Sequence, residues 1–464
     1  MRSGQVPVDN VLHGVAFCWH ASAMSDQPLP RSVRIGYALG SVATGSFATV
    51  PGLLLLPYLT DTLGIAAAVA GAIVLLPKAL DVVLNPVAGR ISDRYRSALG
   101  PRRPFLLRGG LSLAACFAVL FAGPDLDSQL VDAAWVLLAF VGCATAYAFF
   151  QVPYIAMPAE ITDDYRERTS LMSWRVAVLT VAILISGGSS PAIRDAIGGR
   201  DGYRVMGLVV ALLLTIGTVG AYYGTRRAPV GRPGEATGTL REQLRVVAQA
   251  ANFRWLLLTL MLQALAIGSM LAGIDYLARY VLRDPGGASI AFICVVGPAL
   301  VVSPVWLAVG NRFGKKAGFQ AASAVLALGA LALLPAEHVP AWCVYLATGV
   351  VGIGFTGVQV FPLAMLPDVA AVDAARSGVR RAGVFTGIWT AGETLGLALG
   401  PGLYALVLAA GGYVSSTGRD AVQPDSAVTA IVAGMSVVPV ALTVASFFTL
   451  QRYRLTADEV LEAR

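Results

Sequence analysis

Charged residues are scarce in this chain of 464 residues, where 13% of the residues are charged and 56% are hydrophobic. An ordinary soluble domain carries about 25% charged residues, so the shortage excludes a soluble globular protein. Runs of about 20 apolar residues, the length that crosses a bilayer as a helix, recur along the chain instead. The composition therefore predicts an all-α integral membrane protein.

The chain also lacks the short motifs of nucleotide-dependent and zinc enzymes. It has no Gly-x-x-x-x-Gly-Lys-Ser/Thr loop, no His-Glu-x-x-His sequence and no polar stretch long enough for a soluble catalytic domain. Its five cysteines are dispersed without ligand-like spacing, and we interpret them as small hydrophobic side chains. We therefore expect no enzyme activity, no metal and no cofactor.

Apolar segments are predicted at 33–59, 66–90, 105–123, 131–158, 171–190, 204–224, 254–281, 287–310, 319–335, 340–366, 384–409 and 427–450, twelve in all. Most arginines and lysines lie before the first segment, in alternate connections and after the last one. Because cytoplasmic loops hold an excess of basic residues, we expect both termini in the cytoplasm. The net charge of +7 then reflects topology and not a nucleic-acid partner. Three lysines against thirty-one arginines indicate a GC-rich bacterium, so we expect the inner (plasma) membrane.

The polar, Pro- and Gly-rich stretch after the sixth segment divides the chain into two halves. We predict a tail at 1–32, a six-helix bundle at 33–224, a linker at 225–253, a second six-helix bundle at 254–450 and a tail at 451–464. Leu240, Leu244 and Val247 recur at helical spacing within the linker, which predicts a short amphipathic helix at the membrane surface. Similar Pro- and Gly-containing turns follow the second and eighth segments, which favours two pseudo-symmetric bundles.

Several motifs carry a family resemblance. Gly89-x-x-x-Asp93-Arg94, followed by basic residues, resembles the signature of the major facilitator superfamily. Three longer stretches resemble the glycoside-pentoside-hexuronide:cation symporters of that superfamily; they run from Tyr58 to Phe105, from Gln151 to Arg175 and from Glu393 to Tyr413. The resemblance implies the fold of that superfamily and a small-molecule substrate. Transporters built of two such halves bind the substrate between them, and we expect a monomer surrounded by membrane lipids.

Lys78 and Asp81 are charged residues inside the second segment, and at a spacing of three they share a helix face and can pair. An unpaired charge in the membrane costs at least ~2.5 kcal/mol. The resemblance places a cation-coupling carboxylate at Asp81, whereas the second acidic residue of the family is Asn85 here. Loss of that carboxylate favours a proton over sodium as the coupling ion. Glu393 is a second candidate proton carrier, or a counter-ion of Lys78 or Arg175. The alternative for Lys78 and Asp81 is an ion pair that only holds the helix in place.

Other polar and aromatic residues within the apolar segments are candidate substrate ligands. The family's sugar-binding carboxylates are absent, and Gln151 stands at one of their positions, next to Tyr154. Asp275 lies one turn from Arg279, so a plain intrahelical pair is an open alternative to a substrate or proton role. The full set of candidates is Gln151, Tyr154, Trp174, Arg175, Asp275, Gln359 and Trp389.

A third group of charged residues lies at the predicted cytoplasmic helix ends. We assign these residues to gating, where Asp93 can cap a helix or pair across the halves. The alternative for the arginines is topology alone. The group consists of Asp93, Arg94, Arg102, Arg103, Glu160, Asp163 and Arg168.

Taken together, the sequence predicts a secondary transporter in which Asp81, assisted by Glu393, couples proton movement to symport of a small polar solute such as a glycoside, by alternating access. Two alternatives stay open at this point. One is an exporter or lysolipid-type carrier of the same fold. The other is a membrane assembly or sensor protein without transport activity, which the survival of several intramembrane charges disfavours.

Overall fold

A computed structural model describes residues 29–95, 97, 100, 102–124, 128–162, 165–226, 228, 250–284, 286–377, 382–417, 422–455 and 459. The predicted amphipathic helix of the linker, most of the N-terminal tail and Asp163 lie outside these residues. Throughout the described part the secondary structure is helical, without strands, which confirms the all-α prediction.

The first half contains helices α1 (Arg31–Thr62), α2 (Ala67–Arg94), α3 (Arg103–Phe121), α4 (Gln129–Ile161), α5 (Tyr165–Ile197) and α6 (Gly199–Thr225). The second half contains α7 (Ala251–Leu282), α8 (Gly287–Phe313), α9 (Lys315–Leu331), α10 (Ala341–Ser377), α11 (Ala382–Ala410) and α12 (Asp425–Gln451). Among the described residues, 11 helices are long and apolar enough to cross a membrane. Helix α9 has 17 residues, fewer than the about 20 that a span needs. A count of twelve spans therefore stays a prediction, as does the side of the termini.

Within each half, glycines let helices pack with their backbones in contact. A Cβ atom on Gly36 of α1 would lie 2.3 Å from the Cα atom of Gly224 on α6. In the second half, a Cβ atom on Gly400 of α11 would lie 2.3 Å from the carbonyl carbon of Gly268 on α7. A larger side chain at any of these positions would separate the two helices. Such small-residue contacts are typical of helix packing in membranes.

The two halves meet where α1 packs on α7, α2 on α11 and α5 on α8. A Cβ atom on Gly71 of α2 would lie 2.6 Å from the Cβ atom of Ala405, and one on Gly187 of α5 would lie 2.2 Å from the ring of Phe292. Both glycines are near the end of the bundle where α1 ends and α2 begins. We call this the Asp61 end, and we call the opposite end, where α2 finishes, the Asp93 end.

Helices α1 and α7 both finish in a π-helical turn. These turns comprise Tyr58–Thr62 in α1 and Leu277–Leu282 in α7. A π turn is rare in proteins and is frequently found at a functional site. The two helices are the first of their respective halves, so the same irregularity occurs at the same place in each half.

Candidate functional site

The charged pair of α2 lies well inside the bundle. The ammonium nitrogen of Lys78 is 4.0 Å from Oδ2 of Asp81, and the two side chains are 16% and 5% exposed. The second carboxylate oxygen of Asp81, Oδ1, is buried without a hydrogen-bond partner. Asn85, one helical turn further on, is half-buried. The two charges thus neutralise each other, and one carboxylate oxygen stays without a partner.

Three aromatic rings surround the Lys78 ammonium group. Its nitrogen lies 4.9 Å from the ring centre of Phe47, 5.7 Å from that of Tyr147 and 6.0 Å from that of Phe140. A cation over an aromatic face gains about 0.5–2 kcal/mol. The rings belong to α1 and α4, so two neighbouring helices supply three rings to the charge of a residue on α2. Sequence reasoning missed these rings, because an aromatic residue in an apolar helix carries no signal of what it faces.

Arg175 of α5 and Gln151 of α4 each present a polar atom without a partner. The guanidinium carbon of Arg175 lies 5.6 Å from the ring centre of Tyr154, and its side chain also hydrogen-bonds that residue. Its Nε atom, however, is buried and without a hydrogen-bond partner, and the same holds for Oε1 of Gln151. A polar atom that is desolvated without a partner is costly to bury, so both atoms favour a polar ligand.

Tyr154 of α4 packs against α1. Its hydroxyl group donates to the carbonyl oxygen of Tyr37 at 2.7 Å and lies 2.9 Å from the hydroxyl of Ser41. Its ring stacks on that of Tyr37 with 4.8 Å between centres. A Cβ atom on Gly40 would lie 2.4 Å from the Tyr154 ring, so only glycine fits there. Tyr154 therefore holds two helices together.

The second half contributes Glu393, Gln359 and Trp389. The Glu393 carboxylate on α11 accepts a hydrogen bond from the Gln359 side chain on α10. Trp389 is 2% exposed and packs against Phe253, and its Nε1 atom has no hydrogen-bond partner. The remaining aromatic candidate, Trp174, is 51% exposed on α5. Glu393 is thus bonded within its own half in this structure.

Asp61 is the centre of a second polar cluster, at the π turn of α1. It is 3% exposed and accepts hydrogen bonds from the hydroxyl groups of Thr60 at 2.7 Å, Tyr413 at 2.5 Å and Tyr280 at 3.0 Å. Nη1 of Arg279 on the π turn of α7 lies 3.5 Å from its Oδ2 atom. Three of these four partners belong to the second half of the chain, so Asp61 joins the two halves.

Asp275 extends this cluster to α5. Its two oxygens lie 2.7 Å from Nη2 of Arg194 and 3.0 Å from Nε of Arg279. The side chain of Arg194 is 1% exposed and also pairs with Asp195 at 2.9 Å. The intrahelical pair of Asp275 and Arg279 is therefore present, with a second arginine from the other half added to it.

We call these five charged residues, Asp61, Arg194, Asp195, Asp275 and Arg279, the five-charge cluster. The contacts run from Asp61 to Arg279, Asp275, Arg194 and Asp195, so the charges alternate in sign. Every contact lies at the Asp61 end. The sequence held one signal that could have located it. Tyr58-Leu-Thr-Asp61 at the end of α1 and Tyr276-Leu-Ala-Arg279 at the end of α7 share the pattern of Tyr-Leu followed, two positions on, by a charged residue.

The predicted gating residues at the Asp93 end form contacts within the first half. Arg102 is at the centre, because its guanidinium group lies 2.5 Å from Asp93 and 2.8 Å from Glu160 and donates to the Ser92 hydroxyl at 2.7 Å. The structure thus pairs Asp93 with Arg102 and not with a residue of the second half. This Arg102 cluster joins the end of α2 and the start of α3 to the end of α4.

Three other predicted gating residues are described by the structure: Arg94, Arg103 and Arg168. Arg103 donates to the carbonyl oxygen of Ala228 at 2.5 Å, and Arg168 donates to that of Thr162 at 3.0 Å. Arg94 is exposed. Backbone carbonyls at helix ends are ordinary partners of arginine, so these contacts anchor the chain segments next to the helices.

The sequence matches the profile of the family described as "MFS/sugar transport protein" over residues 36–457. It is 27% identical over 440 residues to the "Putative glycoside/cation symporter YagG" of Escherichia coli (strain K12), an alignment that covers 92% of each chain. It is 24% identical to the "Isoprimeverose transporter" of Lactiplantibacillus pentosus, covering 86% of this chain and 85% of the relative. The "Glucuronide carrier protein homolog" of Escherichia coli (strain K12) is likewise 24% identical, covering 94% and 95%.

Solved structures show the same fold at low sequence identity. The inward-facing, occupied structure of a bacterial homologue of the human lysosomal transporter Spinster superposes with a TM-score of 0.66 and 15% identity, covering 93% of this chain and 97% of that one. The predicted transporter fold is therefore confirmed. With the family match over most of its length, the chain belongs to the MFS/sugar transport family of membrane transporters, among the glycoside-pentoside-hexuronide:cation symporters.

Proposed function

We propose that this chain is a proton-coupled symporter that moves a small polar solute, such as a glycoside, across the inner membrane. The observation that carries the proposal is the Asp81 carboxylate, which is buried inside the bundle with one oxygen unpartnered. A proton can add to that oxygen without displacing any existing hydrogen bond. The names of the relatives support symport of a sugar with a cation.

The solute in this proposal binds between the halves, next to Asp81. Gln151 and Arg175 offer it one acceptor and one donor that have no other partner. Gln359 and Glu393 offer polar groups from the second half. Hydroxyl groups of a glycoside both donate and accept hydrogen bonds, so they suit this mixed set of partners.

In the proposed transport cycle, the five-charge cluster is the gate at the Asp61 end. Opening that end separates Asp61 from Arg279 and Asp275 from Arg194. Separating a buried ion pair without a substitute costs about 3–5 kcal/mol. Water that enters the opening cleft solvates the separated charges and lowers this cost. The five-charge cluster can therefore adopt both the closed and the open state.

We propose that the Asp93 end faces the cytoplasm. Basic residues accumulate at this end, including Arg94, Arg102, Arg103 and Arg168, and retention of basic loops in the cytoplasm is the general rule. The closed Asp61 end would then face the periplasm.

The function is tested with purified protein in proteoliposomes. Addition of glycosides, pentosides, hexuronides and lysolipids in turn, with the external pH recorded, should give alkalinisation with one solute class. Asp81→Asn should abolish this signal, whereas Asp201→Asn, which changes a carboxylate that is 74% exposed, should preserve it. A flat trace with every solute, together with no sodium-driven uptake, would reject symport.

The exporter alternative has one supporting observation. The chain is 26% identical over 301 residues to the "Putative 2,3-dihydroxypropane-1-sulfonate exporter" of Escherichia coli (strain K12), covering 62% of this chain. In the same proteoliposomes, efflux of preloaded solute that is accelerated by external acid would indicate exchange of solute for protons and would favour export.

A further inference from the structure

The second half has a group of basic residues where α7 and α9 begin and α12 ends. Helix α7 finishes beside Asp61, so it begins at the opposite, Asp93 end. The Lys316 ammonium group on α9 donates to the carbonyl oxygen of Tyr453, just after α12, at 2.6 Å. The backbone N–H of Arg454 donates to the side-chain oxygen of Asn252 on α7 at 3.1 Å. Three helix ends are thus joined, and their four cations form what we call the basic corner, which consists of Arg254, Lys316, Arg452 and Arg454.

The corresponding place in the first half has a similar contact in a different electrostatic environment. Arg103, at the start of α3, donates to the carbonyl oxygen of Ala228, just after α6, as Lys316 does after α12. The Arg103 charge is stabilised by the nearby carboxylate of Glu160. The Lys316 charge is instead repelled by the nearby guanidinium group of Arg454. The first half therefore supplies its own anion at this place, and the second half supplies another cation.

None of the four cations pairs with a carboxylate within the part of the chain that the structure describes. Two described carboxylates of this region have other cations as partners, because Asp368 pairs with Lys315 and Glu459 with Arg376. Like charges that are held together without a counter-ion repel one another, so the corner favours an anion from outside the chain. Retention of basic residues in the cytoplasm explains positive charge at this end. It does not explain why the cations of three helices converge without a carboxylate.

Exposed apolar side chains continue from the basic corner toward the middle of the bundle. On α12, Val444 and Phe448 are 45% and 65% exposed and precede Arg452 at intervals of four, so the three share one helix face. On α7, the exposed residues Arg254 and Leu258 are likewise four apart. The two helices pack against each other. Each therefore presents a cation at its end and an apolar surface below it, which matches the headgroup and acyl chains of a phospholipid.

Trp255 lies between the cations and this apolar surface. The guanidinium carbon of Arg452 is 5.3 Å from the ring centre of Trp255, so the ring positions that charge. Tryptophan is enriched where lipid headgroups meet the acyl chains. A guanidinium group over a ring still presents N–H donors at its edge, and arginine can donate two parallel hydrogen bonds to one phosphate.

We propose that the basic corner binds an anionic phospholipid, whose phosphate supplies the missing counter-charge and whose acyl chains lie along the exposed faces of α7 and α12. The bound phosphate draws the cations of α7, α9 and α12 together, so the lipid stabilises the second half. The inference goes beyond the proposed function and does not depend on the coupling ion or on the solute.

The test compares two lipids in binding to the purified, delipidated full-length protein in a neutral detergent. Dioleoylphosphatidylglycerol is anionic, and dioleoylphosphatidylcholine has the same acyl chains without a net charge. Versions with brominated chains quench nearby tryptophans, and the share of the wild-type fluorescence that Trp255→Phe lacks reports quenching at the basic corner. Phosphatidylglycerol should quench this share at a concentration at least about thirtyfold lower than phosphatidylcholine, since each cation strengthens binding of an anionic headgroup roughly fivefold.

Two double variants assign the preference to the basic corner. Arg452→Gln/Arg454→Gln removes two cations and should reduce the preference for phosphatidylglycerol about twenty-fivefold. Arg90→Gln/Arg94→Gln removes two exposed arginines of α2 at the same end and is the matched control, which should keep the preference. Thermal unfolding shows whether each variant is folded, and phosphatidylglycerol should raise the Tm of wild type more than that of Arg452→Gln/Arg454→Gln. Glycerol 3-phosphate, a phosphate without acyl chains, should not displace the lipid.

Four results would overturn the proposal. The first is equal quenching of Trp255 by the two lipids in wild type, a comparison that requires no charge variant to fold. The second is a folded Arg452→Gln/Arg454→Gln with the full preference, and the third is an equal loss of preference in the control, which would assign it to surface charge in general. The fourth is displacement by glycerol 3-phosphate at the lipid's own concentration, which would indicate a site for free phosphates. None of these measurements involves transport, so a failure of proton symport is distinguishable from a failure of this inference.

Discussion

The two buried charge clusters of this protein differ in how completely their members are partnered. Asp61 has three hydroxyl donors and an arginine, and Asp275 lies between two arginines. Asp81 has one charged partner at 4.0 Å and one oxygen without any partner. Carboxylates with several charged and hydroxyl partners are held in one arrangement, whereas a carboxylate with an unpartnered oxygen is costly to bury and can accept a new ligand. The contrast fits a gate at the Asp61 end and an exchange site at Asp81.

The largest expected effect comes from Asp275→Asn. This change leaves Arg194 and Arg279 buried beside each other without their shared counter-charge, so the free energy of unfolding should fall by about 3–5 kcal/mol. Asp81→Asn is the matched variant in the other cluster; it leaves one cation, Lys78, without its counter-charge but keeps the three ring contacts of that cation and breaks no hydrogen bond, so it should cost less than Asp275→Asn, which affects two arginines. Thermal or denaturant unfolding in detergent measures both. Equal losses in the two variants would contradict the distinction between the clusters.

A smaller effect is expected from Tyr413→Phe, which removes the 2.5 Å hydrogen bond to Asp61. A hydrogen bond to a charged group contributes about 1.5–3 kcal/mol, and the loss should appear as reduced thermal stability with the halves less firmly closed. Tyr280→Phe, at 3.0 Å from the same carboxylate, is the comparison variant and should cost less. No difference from wild type in either variant would show that Asp61 does not depend on these donors.

The stability difference between wild type and Tyr413→Phe should depend on pH in one direction only. Burial, followed by the nearby Asp61 charge, raises the pKa of Tyr413, which lies in the segment after α11. A raised pKa in the folded state gives stability that is present below the ordinary tyrosine pKa of about 10 and is lost as the pH rises above it. The stability difference between wild type and Tyr413→Phe should therefore be constant up to about pH 9 and shrink in more alkaline buffers. A difference that changes between neutral and mildly acidic pH would rule out this explanation.

Tyr154→Phe should cost about 1–2 kcal/mol of unfolding free energy, since it removes a hydroxyl with buried partners on α1. The variant also removes the hydrogen bond from Arg175 to the hydroxyl, but the guanidinium group keeps the ring beneath it, so the solute preference should not change. Stability is measured by thermal unfolding and preference by competition between solutes during uptake. A changed solute preference with an unchanged free energy of unfolding would show that Tyr154 is a substrate ligand.

Gln151→Met is expected to have the smallest effect on stability, within about 0.5 kcal/mol, because the lost oxygen has no partner. Its effect should appear in solute binding instead, as an affinity about tenfold lower, equal to one hydrogen bond of about 1.4 kcal/mol. Isothermal titration or concentration-dependent uptake measures this. Unchanged affinity would remove Gln151 from the proposed solute site.

The sequence predicted those features that depend on one helix or on composition. The all-α membrane fold, the family and the spacing of Lys78 and Asp81 followed from apolar runs, motifs and helical periodicity. The pair of Asp275 and Arg279 was one of two open readings, and it lies at the i, i+4 spacing that a helix brings together.

Contacts between helices could not be predicted in this way. Asp61 is 218 residues from Arg279 along the chain, and Arg194 lies in a different half from Asp275. Whether such residues meet depends on how each helix is rotated about its axis and on the glycines that set helix separation. The same limit explains why the rings around Lys78 were missed, and why Asp93 pairs with Arg102 in its own half.

The two π turns have a consequence for how the halves of this protein are related. In a symmetric pair of identical subunits, a residue near the two-fold axis faces its own copy. An aspartate at that place would then face an aspartate, and an arginine would face an arginine. With both halves on a single polypeptide, Asp61 and Arg279 occupy matching places and carry opposite charges. An ion pair between matching positions of the two halves can therefore close the gate in a fused chain, whereas a homodimer cannot form it.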